Sequence, residues 1–181
     1  MRVISGSAKG RILTGPKSDR IRPALDKVKQ AIFNILWEIQ GKTVLDLFAG
    51  TGSIGIEAIS RGAAHCTFVD LSREALNLVK KNLEKCGLEM YAKIFKFKIP
   101  PISPRIKGEA EEGFALIFVD PPYDNNLVNP TLLEIARENL LAPDGIVVVE
   151  HSPREPIKKE TGLRLVDQRK YGQTLISFLK R

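Results

Sequence analysis

The sequence predicts an α/β fold with a mostly parallel sheet that carries helices on both faces. Short buried apolar runs alternate with stretches of helical periodicity along most of the chain, as consecutive βαβ units require. Two short strands joined through Tyr171 and Gly172 close the chain and predict an antiparallel hairpin at one sheet edge. A length of 181 residues suffices for one domain with a full core.

The first half of the chain supplies one leading helix and two strand–helix units. Pro23 is a good first residue for the leading helix, and Gly41 follows its last turn. Ser72 is a good N-cap for the helix after the second strand. We expect a helix from 23 to 36, a strand at 43–48, a helix that reaches 61, a strand at 66–70 and a helix at 73–85.

The second half continues the alternation and ends in the hairpin. The stretch from Pro100 to Gly113 is rich in proline and charge, so we expect a surface loop there. The remaining elements follow from apolar runs of strand length and one stretch of helical spacing. We expect strands at 93–98, 114–119, 146–150, 163–168 and 174–179, and a helix near 132–140.

Positive charge is concentrated at the N-terminus. The formal net charge is +7, and residues 1–29 hold eight cations and two anions. We expect residues 1–22 to form a basic, hairpin-like extension ahead of one domain at 23–181. Such a charge attracts a polyanion, although a solvated arm that only aids solubility is the alternative. The candidate RNA-binding residues are Arg2, Lys9, Arg11, Arg20 and Arg22.

Composition argues against several other classes of protein. No apolar run approaches the length of a membrane span, and the basic N-terminus lacks the apolar stretch of a signal peptide. Cys66 and Cys86 show no metal-binding or redox spacing, and two thiols fit a reducing cytoplasm. We therefore expect a cytoplasmic monomer without a metal and without a membrane partner.

A glycine-rich turn follows the first strand. Gly50, Gly52 and Gly55 match the fingerprint G-x-G-x-x-G, which several nucleotide cofactors share. Asp46 would repel a pyrophosphate there but would attract an ammonium group, and Asp70 ends the next strand, where it could accept from ribose hydroxyls. S-adenosylmethionine fits both carboxylates because it has an amino-acid tail, a ribose and no phosphate.

Simpler roles for both carboxylates stay open at this point. Asp46 could be a capping or strand-end carboxylate, and Asp70 an exposed strand terminus. The candidate cofactor-binding residues are Asp46, Phe48, Ala49, Gly50, Thr51, Gly52, Asp70 and Leu71.

A carboxylate, two prolines and an aromatic ring follow the strand at 114–119. Each proline fixes its own φ and lacks an N–H, so the backbone there offers only acceptors. An exocyclic amine on a flat ring could donate to the Asp120 carboxylate and the Pro121 carbonyl while Tyr123 stacks on the ring. A proline turn with an ordinary half-buried tyrosine is the alternative. The candidate catalytic residues are Asp120, Pro121, Pro122 and Tyr123.

Ligands of open α/β sheets bind outside the carboxyl ends of the strands. Asp46, Asp70 and Asp120 all lie at such ends. We therefore expect the methyl donor and the amine pocket to share one crevice.

The chain carries these motifs in order: Arg2-Val3-Ile4-Ser5-Gly6, Arg22-Pro23 with Asp26 and Phe33-Asn34-Ile35-Leu36, the run 44–52, Phe68-Val69-Asp70, Asp120–Tyr123, Glu150-His151 and Tyr171-Gly172-x-Thr174. In this order they resemble the RsmD-type methyltransferases, which methylate N2 of one guanine in 16S rRNA. The resemblance implies a Rossmann-like seven-stranded methyltransferase sheet with a small N-terminal extension and S-adenosylmethionine as cofactor. It also implies 16S rRNA as partner, either naked or within the assembled small subunit.

Two positions depart from the family pattern. Ala24 follows Arg22-Pro23 where threonine is common, and Lys98 stands near the position where a polar or acidic residue often meets the adenine. The resemblance therefore names no side chain that contacts adenine.

Three other functions compete with this interpretation. A DNA adenine-N6 methyltransferase would use the same amine pocket, although 181 residues leave no room for a separate target-recognition domain. An NAD-dependent dehydrogenase would explain the glycines but would leave Asp46 and the amine pocket unused. A non-catalytic RNA-binding module would explain the basic extension alone.

Overall fold

Seven strands form one mixed sheet in the part of the chain that the computed structural model describes, residues 1–16, 23–36 and 38–181. The strands are β1 (Thr43–Leu47), β2 (His65–Asp70), β3 (Ala92–Lys96), β4 (Phe114–Val119), β5 (Leu141–His151), β6 (Arg164–Tyr171) and β7 (Thr174–Lys180). Five α-helices accompany these strands within the described residues: α1 (Pro23–Ile35), α2 (Ser53–Ser60), α3 (Arg73–Cys86), α4 (Pro104–Lys107) and α5 (Val128–Arg137).

The strand order is β3-β2-β1-β4-β5-β7-β6. The first five strands in this order are parallel, and β7 runs antiparallel to both β5 and β6. The predicted α/β class, the seven-stranded Rossmann-like sheet and the closing hairpin are therefore confirmed. The order reverses between β1 and β4, which places a crevice at their carboxyl ends.

Several element boundaries differ from the sequence prediction. β5 begins at Leu141, five residues early, because Leu141 pairs with Phe114 ahead of a bulge in the ladder. α5 begins at Val128, whose amide donates to the buried Glu155 carboxylate at 2.8 Å. α5 ends earlier than expected, before Asn139, which adopts a positive φ of 54°.

The segment from Pro100 to Gly113 is not simply the surface loop that its composition predicts. Ser103 caps the short helix α4, and its hydroxyl accepts from the Arg105 amide. Ile102 and Ile106, four residues apart, are buried in the core on the α5 side of the sheet. The sequence prediction missed this apolar pair because it relied on the high proline content of the segment.

The N-terminal residues form the predicted hairpin-like extension. An antiparallel bridge joins Arg2 to Ile12, and the Val3 amide donates to the Arg11 carbonyl at 3.0 Å. Gly6 touches the end of α2 so closely that a Cβ there would lie 1.6 Å from the Ser60 carbonyl oxygen. The described part of the extension, residues 1–16, is therefore docked on the domain. Its expected boundary at residue 22 lies outside the described residues.

A buried ion pair anchors the extension. The fully buried Glu57 carboxylate accepts from the amides of Ile4 and Ser5 at 2.7 and 3.0 Å. Lys29 on α1 lies 3.3 Å from Glu57, and Arg61 donates to it at 2.8 Å. Burial lowers the pKa of Lys29, while Glu57 opposes that shift. One carboxylate thus holds the extension, α1 and α2 together.

Asn82 makes a second connection, between the extension and the glycine-rich turn. Its side-chain oxygen accepts from the Thr14 amide at 2.7 Å. Its side-chain nitrogen donates to the carbonyls of Thr14 at 3.0 Å and Thr51 at 2.9 Å. Asn82 is fully buried, so these bonds satisfy an amide that water does not reach.

Replacing Glu57 with alanine should destabilise the fold strongly. The change leaves Lys29 buried without its carboxylate and leaves two backbone amides of the extension unsatisfied. We expect a loss of about 3–5 kcal/mol of unfolding free energy in urea titrations. Glu84→Ala, an exposed position on α3, is the matched control and should change stability by less than about 0.5 kcal/mol. Equal effects in the two variants would contradict an anchoring role for Glu57.

Candidate cofactor and substrate site

Two adjoining cavities open beyond the carboxyl ends of β1, β2, β4 and β5. The larger measures about 990 Å³ and the narrower about 150 Å³. Four residues line both cavities: Phe48, Gly50, Asp120 and Glu150. The larger cavity adds Asp70, Leu71, Pro121, Pro122 and Tyr123, and the narrower adds Asp46, Ala49 and Thr51. The structure thus brings together all the candidate catalytic residues and all the candidate cofactor residues except Gly52.

Positive φ angles shape the turn after β1. Gly50 and Gly52 have φ values of 55° and 75°, which glycine adopts without a steric cost. Gly52 is the N-cap of α2, and a Cβ there would press on Val79 at 3.2 Å. Phe48 has a φ of 62°, a conformation uncommon for a bulky residue and typical of functional sites.

The third glycine of the fingerprint serves packing. A Cβ on Gly55 would lie 2.3 Å from the Phe68 ring and 2.7 Å from the Cys66 sulfur. Gly55 therefore lets α2 lie close against β2. Close packing of α2 on β2 therefore explains the third glycine of the fingerprint, and a bound pyrophosphate is not needed to explain it.

Asp46 has the capping role that the sequence left open, and it also lines the narrower cavity. Its carboxylate accepts from the Gly55 amide at 3.0 Å. Burial raises the pKa of Asp46 to about 7; the Gly55 hydrogen bond opposes the shift and Asp70 adds to it. A cationic group placed beside Asp46 would favour its ionised form.

Asp70 holds the glycine-rich turn in place. Its two carboxylate oxygens accept from the Gly50 amide at 2.9 Å and the Ser72 amide at 2.8 Å. A carboxylate has about four acceptor positions, so capacity remains on the cavity side for further donors such as hydroxyls. Leu71, 59% exposed at the cavity wall, adds apolar surface next to this carboxylate.

The wall of the larger cavity after β3 is mostly apolar. It is formed by Phe97, Lys98 and Ile99. The Phe97 amide donates to the Asp70 carbonyl at 3.2 Å, which ties this segment to β2. Phe97 also stacks on Phe95 at a centroid distance of 6.1 Å. This wall suits the face of a flat ring.

The Asp120–Tyr123 segment is fixed by contacts across the sheet. Pro121 is buried, Pro122 is exposed, and the Tyr123 hydroxyl donates to Glu150 at 3.0 Å. The same hydroxyl is hydrogen-bonded to Thr174 at 2.7 Å. Desolvation, opposed by the Thr174 hydrogen bond, raises the pKa of Tyr123. The tyrosine is therefore neutral, and two hydrogen bonds hold its hydroxyl.

Acidic groups converge where the two cavities meet. Asp120 is open to solvent on its cavity side, yet the protein atoms that crowd its carboxylate raise its pKa well above the usual range. Repulsion from Glu150 and then Asp46 adds to that shift. Ligands that carry positive charge or several hydrogen-bond donors would relieve the repulsion.

Sequence reasoning missed Glu150 and Thr174 as site residues. Glu150 lies near the carboxyl end of β5 and Thr174 begins β7. The strand-end rule that found Asp120 would also have found Glu150 if it had been applied to the run at 146–150. Thr174 belongs to the motif Tyr171-Gly172-x-Thr174, but the strand-end rule does not point to it, because its role depends on a hairpin that brings it to Tyr123.

The basic candidates fall into two groups. Arg2, Lys9 and Arg11 are exposed on the docked extension. Arg20 and Arg22 lie outside the described residues. Among the described helices, none is both long enough and apolar enough to cross a membrane.

Comparisons with known proteins cover nearly the full chain. The family model described as Conserved hypothetical protein 95 matches residues 1–180. Protein YlbH of Bacillus subtilis is 41% identical over 184 residues, which cover 100% of this chain and 99% of the relative. Ribosomal RNA small subunit methyltransferase D of Haemophilus influenzae is 32% identical over 175 residues, with 95% and 89% coverage. The solved yhhF protein of Escherichia coli has a TM-score of 0.80 at 28% identity, with 100% and 97% coverage.

Asp46→Asn should change the pH dependence of stability. The pKa of Asp46 is about 7 in the folded protein against an ordinary value of 3.8, so the folded state holds the proton more tightly than the unfolded state. The associated stability is fully present below pH ~3.8 and is lost as the pH rises through ~7. We expect the unfolding free energy of the variant to rise relative to wild type over that window, on the order of 4 kcal/mol in total.

Urea titrations at pH 5 and pH 8 measure the part of this difference that falls between those pH values, about 2–3 kcal/mol. Asp144→Asn, an exposed carboxylate on β5, is the control and should show no such trend. A constant difference between Asp46→Asn and wild type across the two pH values would contradict the shifted pKa.

Proposed function

The chain belongs to the RsmD-type family described as Conserved hypothetical protein 95, and from this membership and its crevice we propose a methyl transfer to rRNA. The methyl donor is S-adenosylmethionine, and the acceptor is the N2 amine of a guanine in 16S rRNA. One observation supports this most strongly: Gly50 of the glycine-rich turn and Asp120 of the amine pocket line the same two cavities.

The residues of the crevice fit this cofactor. The Asp46 carboxylate on the narrower cavity suits the ammonium of the amino-acid tail, and Asp70 suits the ribose hydroxyls. The apolar wall at Phe97 and Ile99, together with Leu71, suits the adenine. S-adenosylmethionine supplies an electrophilic methyl group on a sulfonium, and its transfer leaves S-adenosylhomocysteine.

The Asp120–Tyr123 segment would orient the guanine amine. Guanine N2 is a weak nucleophile because its lone pair is delocalised into the ring. Asp120 and the Pro121 carbonyl each accept one amine hydrogen and so hold the lone pair toward the methyl group. Alignment of this kind, with negative charge beside the developing positive nitrogen, supplies most of the rate gain. Asp120 then takes up the proton that N2 releases.

Tyr123 would stack on the base, and its hydroxyl contacts fix the ring for that purpose. Stacking contributes about 1–3 kcal/mol per base. The target guanine must leave its helix or lie in a loop to reach this pocket.

The docked extension would bind the RNA backbone. Its three exposed cations stand on a segment held by Glu57 and Asn82. The positive charge therefore has a fixed position relative to the crevice, as a surface that guides a bound RNA would need.

Incubation with methyl-tritiated S-adenosylmethionine and 16S rRNA tests the proposal. The rRNA is supplied naked and within assembled small subunits, and the labelled nucleosides are identified after digestion. We expect N2-methylguanosine. Labelled N6-methyladenosine would favour the adenine alternative, and the absence of label with both forms of the rRNA would overturn the proposal.

In the same assay, Asp120→Ala should reduce methyl transfer by about 10²–10⁴-fold. The amine loses both an acceptor and a negative charge, while the glycine-rich turn stays intact. Cofactor binding, measured by calorimetry, should change little. Asp144→Ala, at an exposed position on the same sheet, is the matched control. Normal turnover in Asp120→Ala would rule out the assigned role.

Reversing the charge of Arg2, Lys9 and Arg11 together should weaken RNA binding in a salt-dependent manner. Every phosphate that the variant no longer neutralises lowers the slope of log affinity against log salt by about 0.7–0.9, so we expect the slope to fall by about 2–3. Filter binding of 16S rRNA between low and physiological salt measures this slope. Reversal of Lys107, Lys158 and Lys159, exposed on the α4 and α5 side, is the control with equal charge change. Equal slopes for the two triple variants would contradict an RNA-binding role for the extension and would favour the alternative that it only aids solubility.

A further inference from the structure

Asp120 and Glu150 occupy equivalent places on neighbouring strands. The parallel ladder of β4 and β5 pairs Val119 with Val149. The next residues, Asp120 and Glu150, therefore follow side by side, on strands about 4.8 Å apart. Both line the larger and the narrower cavity. The crevice thus presents two adjacent carboxylates at the point where a target base would enter.

Contacts to the closing hairpin hold Glu150 in place. Its carboxylate accepts from the Tyr123 hydroxyl at 3.0 Å, and Thr174 of β7 holds that same hydroxyl at 2.7 Å. Glu150 also lines both cavities, so the residue that positions Tyr123 faces a ligand bound beside Asp120.

Two neighbouring carboxylates select a ligand with two neighbouring donors. The pairing edge of guanine carries N1–H directly beside the N2 amine, so both groups donate. Adenine carries its amine beside N1, which is an acceptor. An adenine with its amine at Asp120 would direct the N1 lone pair at a second carboxylate. A site built to accept an N–H rejects an analogue that lacks it.

We propose that Glu150 is the residue that selects guanine, by accepting N1–H while Asp120 accepts the N2 amine. This inference rests on the proposed function and adds a means of distinguishing guanine from adenine, which the amine pocket alone lacks. Asp120 and the Pro121 carbonyl accept from an exocyclic amine on either base, whereas a second carboxylate beside them reads the neighbouring ring atom.

Glu150→Gln tests the inference with two matched substrates. One is 16S rRNA with guanine at the position that wild type methylates, and the other carries 2-aminopurine there. 2-Aminopurine keeps the amine at C2 but has an acceptor at N1. The rRNA is supplied in whichever form, naked or assembled, wild type methylates. The measured quantity is the ratio of kcat/KM values for the two substrates.

We expect wild type to prefer guanine by about 10–100-fold, the usual discrimination of one good base contact. Glu150→Gln should narrow this ratio at least about tenfold, because the amide can donate to the acceptor of 2-aminopurine. Glu150→Asp keeps the carboxylate and should keep the preference at a lower kcat/KM. Glu150→Ala, which removes the carboxylate altogether, covers the case in which the glutamine variant fails to fold, and it should also narrow the ratio.

Tyr123→Phe separates base selection from positioning of the tyrosine. It removes the hydroxyl that Glu150 holds but leaves the carboxylate in place. We expect lower turnover on both substrates with the guanine preference retained. The inference fails if Tyr123→Phe narrows the ratio as much as Glu150→Gln does.

The remaining outcomes distinguish this inference from the proposed function. If wild type methylates guanine and the variants that remove the carboxylate, Glu150→Gln and Glu150→Ala, keep the wild-type ratio, the selective role of Glu150 is wrong while the proposed function stands. If wild type methylates no guanine in either form of the rRNA, the proposed function itself is wrong, and the role of Glu150 falls with it.

Discussion

The parallel register of β1, β4 and β5 is the constraint on which the site depends. Leu47 pairs with Val119, and Val119 pairs with Val149. The residues that follow these three positions therefore meet at one edge, and they include the strained Phe48 and the carboxylates of Asp120 and Glu150. A shift of the register by one residue would move each side chain of a strand from one core to the core on the opposite face of the sheet, so the packing of both cores also fixes the carboxylates.

The described part of the basic extension, residues 1–16, packs against the domain through specific hydrogen bonds. Glu57 holds its backbone through two amides, and Asn82 connects it to the carbonyl of Thr51 in the glycine-rich turn. A buried carboxylate with Lys29 alone would gain little stability, because its desolvation offsets the Coulomb attraction. The additional hydrogen bonds make the arrangement specific, and they require the extension to lie where it does.

Sequence patterns predicted the features that depend on local order along the chain. Strand ends revealed Asp46, Asp70 and Asp120, and the spacing of apolar residues revealed the sheet. Contacts between distant segments left no such pattern. Glu57 lies 53 residues from Ile4, and Asn82 lies 68 residues from Thr14, so both looked like ordinary helix residues. Gly55 matched a cofactor motif although its role is to let a helix approach a strand.

The distribution of charge suggests different ligands for two parts of the molecule, the acidic crevice and the basic extension. The chain is basic overall, but its crevice gathers Asp46, Asp120 and Glu150. Burial raises the pKa of Asp46, and the protein atoms that crowd the Asp120 carboxylate, together with repulsion from Glu150 and Asp46, raise the pKa of Asp120. A cationic methyl donor and the donor edge of a base each favour the ionised forms, so each ligand would prepare the crevice for the other. The phosphates, which the same carboxylates repel, would be left to the cations of the extension.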